Sequence, residues 1–248
     1  MRKIKTALLF MSMAVLCINA TAQTETEPLR AEFIENIVLD GDDSDWESAI
    51  SYYDEGSGLM YSVANDAENI YVVVKATAQA SMVKFTMGGV ELWLSADGKE
   101  RRKTGIKYPI PLTWEERSAT RDRNATREQR RQAESERTYK VMELRGFENI
   151  KDKTYEVDEL DIKAEYSGRN NNSIVEYKIP LSAFCKPEQI NADNVFAIGI
   201  NLNGMQMPNF SGGGGGGRQV RVVDAQAQRD RREMTKSHSF WIYVQLTK

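Results

Sequence analysis

Ile37-Val-Leu-Asp-Gly-Asp-Asp-Ser-Asp-Trp46 is the stretch that indicates how this chain folds. Its short apolar run stops at an Asp-Gly pair, because glycine accepts positive φ angles and Asp and Ser side chains hydrogen-bond their own backbone in turns. An indole follows the turn at Trp46. The pattern predicts the end of a β-strand, a tight acidic turn and a tryptophan that packs as an anchor.

The N-terminus has the pattern of a secretory signal peptide. Three basic residues precede an apolar run over residues 7–18, and Ala20 and Ala22 supply the small residues of a cleavage site. The apolar run is shorter than the roughly 20 residues that span a bilayer. We therefore expect residues 1–22 to be removed, and the protein to be exported to the periplasm or the cell exterior without a membrane span.

Cys17 leaves a second possibility open. A cysteine at the end of the apolar run is similar to a bacterial lipoprotein signal, in which that cysteine becomes the lipidated first residue, although Leu16 precedes it where a small residue is usual. In that alternative the protein is anchored to the outer membrane. In either case Cys185 remains alone, so no intramolecular disulfide can form, and it is predicted to be a small buried hydrophobe.

Charge and composition narrow the classes of partner. Signal cleavage removes three of the 33 basic residues and none of the 36 acidic residues, which leaves a net charge of −6. This charge argues against nucleic acid as a partner. The chain has 248 residues, of which 41% are hydrophobic, and this is enough for one large domain.

Short β-branched or alternating runs, separated by turn residues, follow one another along the chain. The clearest are Ile70–Ala76, Val90–Leu94, Ser173–Ile179, Asn194–Leu202 and Phe240–Leu246. About ten such runs without alternating helices predict an all-β, antiparallel β-sandwich, formed as a single domain over residues 33–248. The polar residues 23–32 are predicted to be a flexible leader.

A charged insertion interrupts the β pattern at about residues 113–137. This segment is rich in Arg, Glu, Gln and Ala and contains no Gly or Pro, which favours one helix. Thr113 is placed to cap the helix, with Glu115 and Glu116 in its first turn. Polar residues occupy nearly every face, so we expect the helix to project into solvent or to contact a partner.

A glycine-rich loop is predicted at residues 211–217, where six consecutive glycines follow Ser211. Glycine loses more backbone entropy on folding than any other residue. We therefore expect a long, mobile loop over the whole excursion from residue 203 to residue 239.

The order and spacing of these motifs resemble those of family 9 carbohydrate-binding modules and of the wider DOMON-like β-sandwiches of exported bacterial proteins. The matching stretches are Leu39–Gly41, Asp45-Trp46, Asp66, Glu68–Val72, Glu91–Leu94, Asp97-Gly98, Val175–Leu181, Ile198–Leu202 and Phe240–Ile242. The resemblance implies a jelly-roll-like sandwich that often binds sugars through stacked aromatic rings, and that holds calcium in some members. Trp46 and Trp93 match positions that are structural in the family.

Three aromatic residues close to the interruptions are candidates for contact with a ligand: Tyr108, Trp114 and Phe210. Exposed rings in these loops would stack on a sugar or on a side chain of a partner. The alternative for Trp114 is that it pins the charged insertion to the sandwich.

Metal and cofactor sites have weaker support in the sequence. Four carboxylates could bind calcium, although an acidic turn explains them too and their spacing is not that of an EF-hand: Asp40, Asp42, Asp43 and Asp45. The single histidine excludes a multi-histidine metal site. Some DOMON-like domains hold haem between a Met and a His, for which this chain offers His238 with Met205, Met207 or Met234.

We therefore expect a non-catalytic exported module that binds carbohydrate or another ligand of the cell envelope, without a resident metal or cofactor. The alternative is a structural or protein-interaction component, in which the Arg-rich insertion contacts an envelope protein. A glycosidase would need two carboxylates at a set separation across a cleft, which the sequence alone cannot place.

Overall fold

The computed structural model describes residues 27–35, 37–46, 50–113, 115–116, 126–169, 171–190, 193–206 and 225–247. In this part of the chain, thirteen strands form two sheets that pack face to face around a shared core. The predicted all-β sandwich is therefore confirmed. The predicted signal peptide, the glycine run, Trp114 and Phe210 lie outside the described residues.

Sheet A contains seven strands. In order across the sheet they are β1 (Leu29–Arg30), β13 (His238–Gln245), β12 (Val195–Leu202), β6 (Val90–Ser95), β7 (Thr104–Tyr108), β8 (Val141–Arg145) and β9 (Lys153–Glu156). Neighbouring strands are antiparallel except for β1, which pairs parallel with β13.

Sheet B contains the other six strands. In order they are β10 (Lys163–Ser167), β11 (Ser173–Pro180), β5 (Asn69–Ala76), β4 (Leu59–Asn65) and β2 (Glu32–Phe33), with β3 (Tyr52–Asp54) paired to the other end of β4. The β2–β4 pair is parallel and the rest are antiparallel. The flexible leader predicted for residues 23–32 is wrong for residues 29–32, because backbone hydrogen bonds tie this segment to both sheets.

The core lies between the sheets because apolar residues alternate along the strands. On β12 every second residue from Phe196 to Leu202 points inward, and on β5 every second residue from Ile70 to Ala76 does. Each fully buried aliphatic or aromatic side chain contributes about 1.5–3 kcal/mol relative to an exposed one. Cys185 is buried at the edge of this core, and burial raises the pKa of its thiol to about 12, which confirms the prediction of a buried hydrophobe.

Three helices accompany the strands in the described residues: α1 (Gln79–Gly88), α2 (Arg127–Tyr139) and α3 (Ala225–Thr235). Helix α2 confirms that the charged insertion contains a helix, but α2 begins at Arg127 with the extended residue Thr126 as its N-cap, and not at Thr113. Thr113 caps the separate helical residues 115–116, since its Oγ1 accepts from the Glu116 amide at 3.2 Å and its own amide donates to the Glu116 carboxylate at 2.7 Å. The mobile loop predicted for 203–239 is wrong where α3 and the start of β13 form.

Helix α1 was not predicted, because the glycine pair that follows it reads equally well as the start of a strand. Gly89 has φ 78° and its amide donates to the Lys84 carbonyl at 3.2 Å. A glycine in this conformation, one residue past the last helical residue, is a helix C-cap. Gly88-Gly89 therefore ends α1 as well as introducing β6.

The acidic turn packs against the outer face of sheet B. The predicted packing of Trp46 is confirmed, whereas the strand predicted to end at this turn is wrong, because residues 37–39 are not in a strand. Trp46 is buried with Ile37, Tyr71, Val73 and Ile174 in a second apolar cluster. Each of the four carboxylates of the turn makes at least one bond: Asp40 with the Asp42 amide, Asp42 with the Ser44 amide, Asp45 Oδ2 with the Val38 amide and Asp43 with Lys75. Asp45 Oδ1 is buried without a hydrogen bond. In the described part of the chain, no group of three or more potential ligands could hold a metal ion.

Glu176 on β11 fixes the turn in place. Its carboxylate is 1% exposed and accepts from Trp46 Nε1 at 2.9 Å, from the Gly41 amide at 2.8 Å and from the Asp40 amide at 3.2 Å. Burial raises the pKa of Glu176 to about 7, with a further increase from Asp45 and opposition from the three donors. The indole is therefore an anchor, and a buried carboxylate receives it.

Candidate functional site on the outer face of sheet A

Strand register places two tryptophans in one row across the outer face of sheet A. Trp241 on β13 pairs with Gly199 on β12, Gly199 pairs with Trp93 on β6, and Trp93 pairs with Gly105 on β7. We call these four residues the tryptophan row. Glycine between bulky neighbours marks a place where another group approaches the backbone closely.

Each indole in the tryptophan row lies over a glycine. A Cβ added to Gly199 would meet three benzo-ring atoms of Trp241 at 2.9 to 3.0 Å, which places the ring face against the strand. A Cβ added to Gly105 would lie 2.6 Å from Cε3 and 3.0 Å from Cδ2 of Trp93. Because one face of Trp241 lies on the sheet, its other face is directed away from the sheet.

A row of polar side chains runs beside the tryptophan row, two residues away on each strand. This polar row consists of Ser239, Asn201, Glu91 and Lys107. Asn201 Nδ2 donates to Glu91 Oε2 at 3.3 Å and to Asn203 Oδ1 at 2.8 Å. The face therefore combines flat aromatic rings with donors, acceptors and charges of both signs.

Two hydrogen-bond donors on this face have no partner. In the described residues, three buried side-chain polar atoms have no hydrogen bond. Two of these atoms are Trp93 Nε1 and Asn203 Nδ2. An unsatisfied buried donor costs about 1–3 kcal/mol. Because both groups are N–H donors, the group that would satisfy them is an acceptor oxygen.

The loop between β6 and β7, residues 96–103, lies across the tryptophan row. Glu100 accepts from the Tyr243 hydroxyl at 2.9 Å, and Arg102 donates to the Ser239 hydroxyl at 3.0 Å. Tyr243 and Ser239 flank Trp241 on the same face of β13, so the loop spans the row between them. Trp93 is 8% exposed, and the hydrogen bond to Glu100 raises the pKa of the Tyr243 hydroxyl.

The structure corrects the predicted ligand role of Tyr108. Its ring is 0% exposed in the core between the sheets, its hydroxyl donates to the Tyr139 carbonyl at 2.9 Å, and its carbonyl accepts from Tyr177 at 3.0 Å. It points inward because it alternates with Lys107, which belongs to the polar row. A ligand at the surface cannot stack on this ring.

Trp114 and Phe210 lie outside the described residues, so their predicted roles remain predictions. The segments that carry them leave sheet A at the ends of β7 and β12, next to Lys107 and Asn201 of the polar row. Of the residues considered for haem, His238 is half-buried at the start of β13, and burial together with Lys84 and Lys236 lowers its pKa. Met207 is outside the described residues.

Sequence reasoning missed the tryptophan row and the polar row. Trp93 was interpreted as structural, and Trp241 only as part of the last strand. Gly105 and Gly199 are the sequence features that could have pointed to the tryptophan row, since a glycine inside a strand indicates a close approach by another group. The register that places these glycines opposite Trp93 and Trp241 is a property of the folded sheet.

A pocket of about 680 Å³ opens where the edges of the two sheets meet, between β10 and the segment around β8 and β9. The rings of Tyr139 and Tyr166 stack there with centroids 4.1 Å apart and planes 4° apart. Asp40 and Glu165 also line the pocket, and burial and then Asp40 raise the pKa of Glu165. We call it the seam pocket; it is a second place where a polar ligand could bind.

The chain was compared with protein families, curated proteins and solved structures. No family model matches the sequence, and no curated protein matches it. A solved structure of a family 9 carbohydrate-binding module from Caldicellulosiruptor kristjanssonii in complex with glucose is similar to this chain, with 10% identity and a TM-score of 0.43 over 89% of this chain and 96% of that chain. A cellotriose complex of a family 9 module from the same organism gives 12% identity and a TM-score of 0.40 over 88% and 93%. This is the family that the sequence motifs resemble.

Proposed function

We propose that this protein is a non-catalytic binding module that takes a carbohydrate on the outer face of sheet A. The observation that carries the proposal is the pair of unpartnered donors, Trp93 Nε1 and Asn203 Nδ2, on one face with two flat-lying indoles. Sugar hydroxyls are acceptor oxygens, and the C–H faces of β-linked pyranose rings stack on indoles. A carbohydrate supplies both kinds of contact in one ligand.

The polar row would then orient the sugar. Asn201 and Glu91 already bond each other, so they present a fixed amide and carboxylate beside the stacking surface. Ser239 and Lys107 extend this edge on both sides. Fixed polar groups around an aromatic floor are the usual means by which a pocket selects one stereoisomer.

Access to Trp93 requires the 96–103 loop to move. The loop holds this face through two exposed hydrogen bonds, Tyr243 to Glu100 and Arg102 to Ser239. Each such bond contributes about 0.5–1.5 kcal/mol, so a ligand that satisfies the buried donors can displace the loop. The loop is thus the cover of the proposed site.

The predicted signal peptide supports an exported location for this module, in the periplasm or outside the cell. Within the described residues, no helix is both long and apolar enough to cross a membrane. Substrates in these compartments include polysaccharides of the cell envelope, which agrees with a carbohydrate ligand.

The test is retention of the mature protein on polysaccharides in affinity gels and on a glycan array, with Trp241→Ala as the site variant. Tyr53→Ala is the matched control, because Tyr53 is an exposed aromatic residue on sheet B. We expect retention of the wild type and of Y53A, and loss of retention for W241A with unchanged circular dichroism. Retention of W241A equal to the wild type would contradict the site, and no retention on any glycan would contradict the function.

A second candidate function, contact with an envelope protein, is favoured by the exposure of α2. Most of its described side chains are exposed, while Thr138 near its C-terminal end is buried against the sandwich. A capping box joins Thr126 and Gln129 at its start, with bonds of 3.2 and 2.8 Å. Co-purification of a protein that is lost when residues 113–137 are replaced by a short Gly-Ser linker, together with no glycan retention, would favour this candidate.

A further inference from the structure

A separate pocket of about 680 Å³ opens on the outer face of sheet B, at the end of β10 and β11. Lys163 and Lys178 lie in its wall, and the segment that follows β11 contributes Ser182. We call it the lysine pocket. It lies on the opposite sheet from the tryptophan row, so nothing inferred about it rests on the proposed function.

The two lysines are neighbours on adjacent strands of sheet B. Lys163 on β10 and Lys178 on β11 are direct partners in the antiparallel register, so their side chains leave the sheet on the same face. The Cβ atoms of such a pair are about 4.5–5.5 Å apart, and like charges in this position destabilise the sheet. The two lysine side chains therefore leave the sheet side by side at the pocket wall.

The two carboxylates closest to Lys178 within sheet B and beside its partner strand are engaged elsewhere. Glu176, two residues before Lys178 on the same face, accepts from Trp46 and from two amides of the acidic turn. Tyr71, the partner of Lys178 on β5, donates to Asp66 at 2.7 Å. Within the described residues, neither lysine forms an ion pair or a hydrogen bond through its side chain.

Two acidic residues, Glu68 and Asp161, also line the lysine pocket. Both are exposed and neither forms an ion pair with Lys163 or Lys178. Lys75, on the same face of sheet B, shows the contrasting arrangement, because its ammonium lies 2.6 Å from Asp43. The lining of the lysine pocket therefore carries two lysines and two carboxylates, and no ion pair joins them in the described residues.

We propose that the lysine pocket binds an anionic oxygen group, a carboxylate, sulfate or phosphate, between Lys163 and Lys178. An anion between the ammonium groups converts their repulsion into two charge-assisted hydrogen bonds, and the Ser182 hydroxyl offers a third donor at the same wall. The group could belong to an acidic sugar or be a free ion. Both sources share the chemistry that the two lysines recognise.

The experiment follows the backbone amide signals of Lys163, Lys178 and Ser182 by NMR while the mature protein is titrated at constant ionic strength. Glucuronate, sulfate and phosphate are the anionic probes, and glucose is the uncharged match for glucuronate. We expect the anions to shift these signals and glucose to leave them unchanged. If glucuronate binds more tightly than sulfate and phosphate, the sugar is the source; equal affinities identify the free anion.

The variants are Lys163→Gln and Lys178→Gln, with Lys153→Gln on β9 as the control for a lysine outside the pocket. K163Q and K178Q should each weaken anion binding roughly tenfold or more, which is about 1.4 kcal/mol. Each should also raise Tm slightly, because the repulsion between the lysines is removed, so lost binding cannot be attributed to unfolding. Anion shifts that are absent in the wild type, or that persist unchanged in both variants, would overturn the proposal.

Discussion

Gly199 determines where the Trp241 indole can lie, and this can be tested with a single methyl group. A Cβ at position 199 would lie 2.9 to 3.0 Å from three ring atoms, closer than carbon atoms normally approach. We expect Gly199→Ala to lift the indole from the strand, to destabilise the fold by about 1–3 kcal/mol and to weaken sugar binding. Calorimetric titration and urea unfolding measure both effects.

Gly56→Ala is the matched control for this substitution. The nearest atom to a Cβ at position 56 is a carboxylate oxygen of Asp54 at 3.4 Å, an ordinary contact. G56A should leave both stability and sugar affinity close to those of the wild type. If G199A retains full affinity, the position of Trp241 does not matter for the ligand.

Glu176 should make the stability of the protein depend on pH. Its pKa is about 7 in the folded state, compared with a usual value of 4.5, so the folded state holds a proton that the unfolded state has released between these values. Its contribution to the free energy of unfolding is therefore fully present below about pH 4.5, declines as pH rises to about 7 and then stays level. The decline is at most about 3 kcal/mol.

Urea unfolding of the wild type and Glu176→Gln at a series of pH values measures this dependence. The difference between the two proteins should change between pH 4.5 and 7, because glutamine does not titrate. A constant difference over this range would show that Glu176 has an ordinary pKa, held there by its three N–H donors.

At the scale of structural elements, the 96–103 loop is the part of the proposed site that must move. Arg102→Ala removes the bond that the loop makes to Ser239, and it leaves every residue of the tryptophan row and of the polar row in place. Because the ligand then displaces a more weakly held loop, we expect sugar affinity to rise by up to roughly tenfold, the equivalent of about 1.4 kcal/mol. Arg101→Ala is the control, since Arg101 pairs with Asp97 inside the loop. A fall in affinity for R102A would mean that Arg102 contacts the ligand instead.

The elements that could be predicted from sequence are those whose signal is local. Alternation of apolar residues predicted the long strands of both sheets but not the short strands β1, β2 and β3, and the Asp-Gly turn before Trp46 predicted the packed anchor. Helix α1 could not be separated from a strand start, because Gly88-Gly89 serves both purposes. The partner of the anchor, Glu176, lies 130 residues away in the chain, and no local pattern points to it.

The prediction that function is located near the two interruptions stays a prediction. The ends of β7 and β12, from which the charged insertion and the glycine-rich segment depart, lie beside the polar row of the proposed site. Its residues were not predicted, since Tyr108 points into the core while its neighbour Lys107 points outward. The register of β13, β12, β6 and β7 decides which residues lie beside the two tryptophans, and the sequence of one strand does not give this register.

At the scale of the whole molecule, the two outer faces of the sandwich differ. The segment from Ile34 to Ile50 packs on sheet B and forms the second apolar cluster there with Trp46. Sheet A instead holds aromatic and polar side chains beneath one loop that two exposed hydrogen bonds hold in place. We infer that the outer face of sheet A serves ligand binding while the centre of the corresponding face of sheet B serves stability.

Export is a prediction that also concerns the whole molecule. We expect the mature protein, recovered from the periplasm or the medium of an expressing bacterium, to begin at Gln23. Intact mass and N-terminal sequencing measure this directly. A protein that begins with an acylated Cys17 would establish the lipoprotein alternative, and one that retains Met1 inside the cell would contradict export.

The most direct test of the central claim follows the indole N–H signals during a sugar titration by NMR. The chain has four tryptophans, and substitution of each by Phe assigns its signal. With a β-linked oligosaccharide that the protein retains, the Trp93 Nε1–H signal should move downfield as its donor gains an acceptor, while the Trp46 signal, already bonded to Glu176, stays in place. A Trp93 signal that does not move while the amides around Tyr139 and Tyr166 do would place the sugar in the seam pocket and contradict the claim.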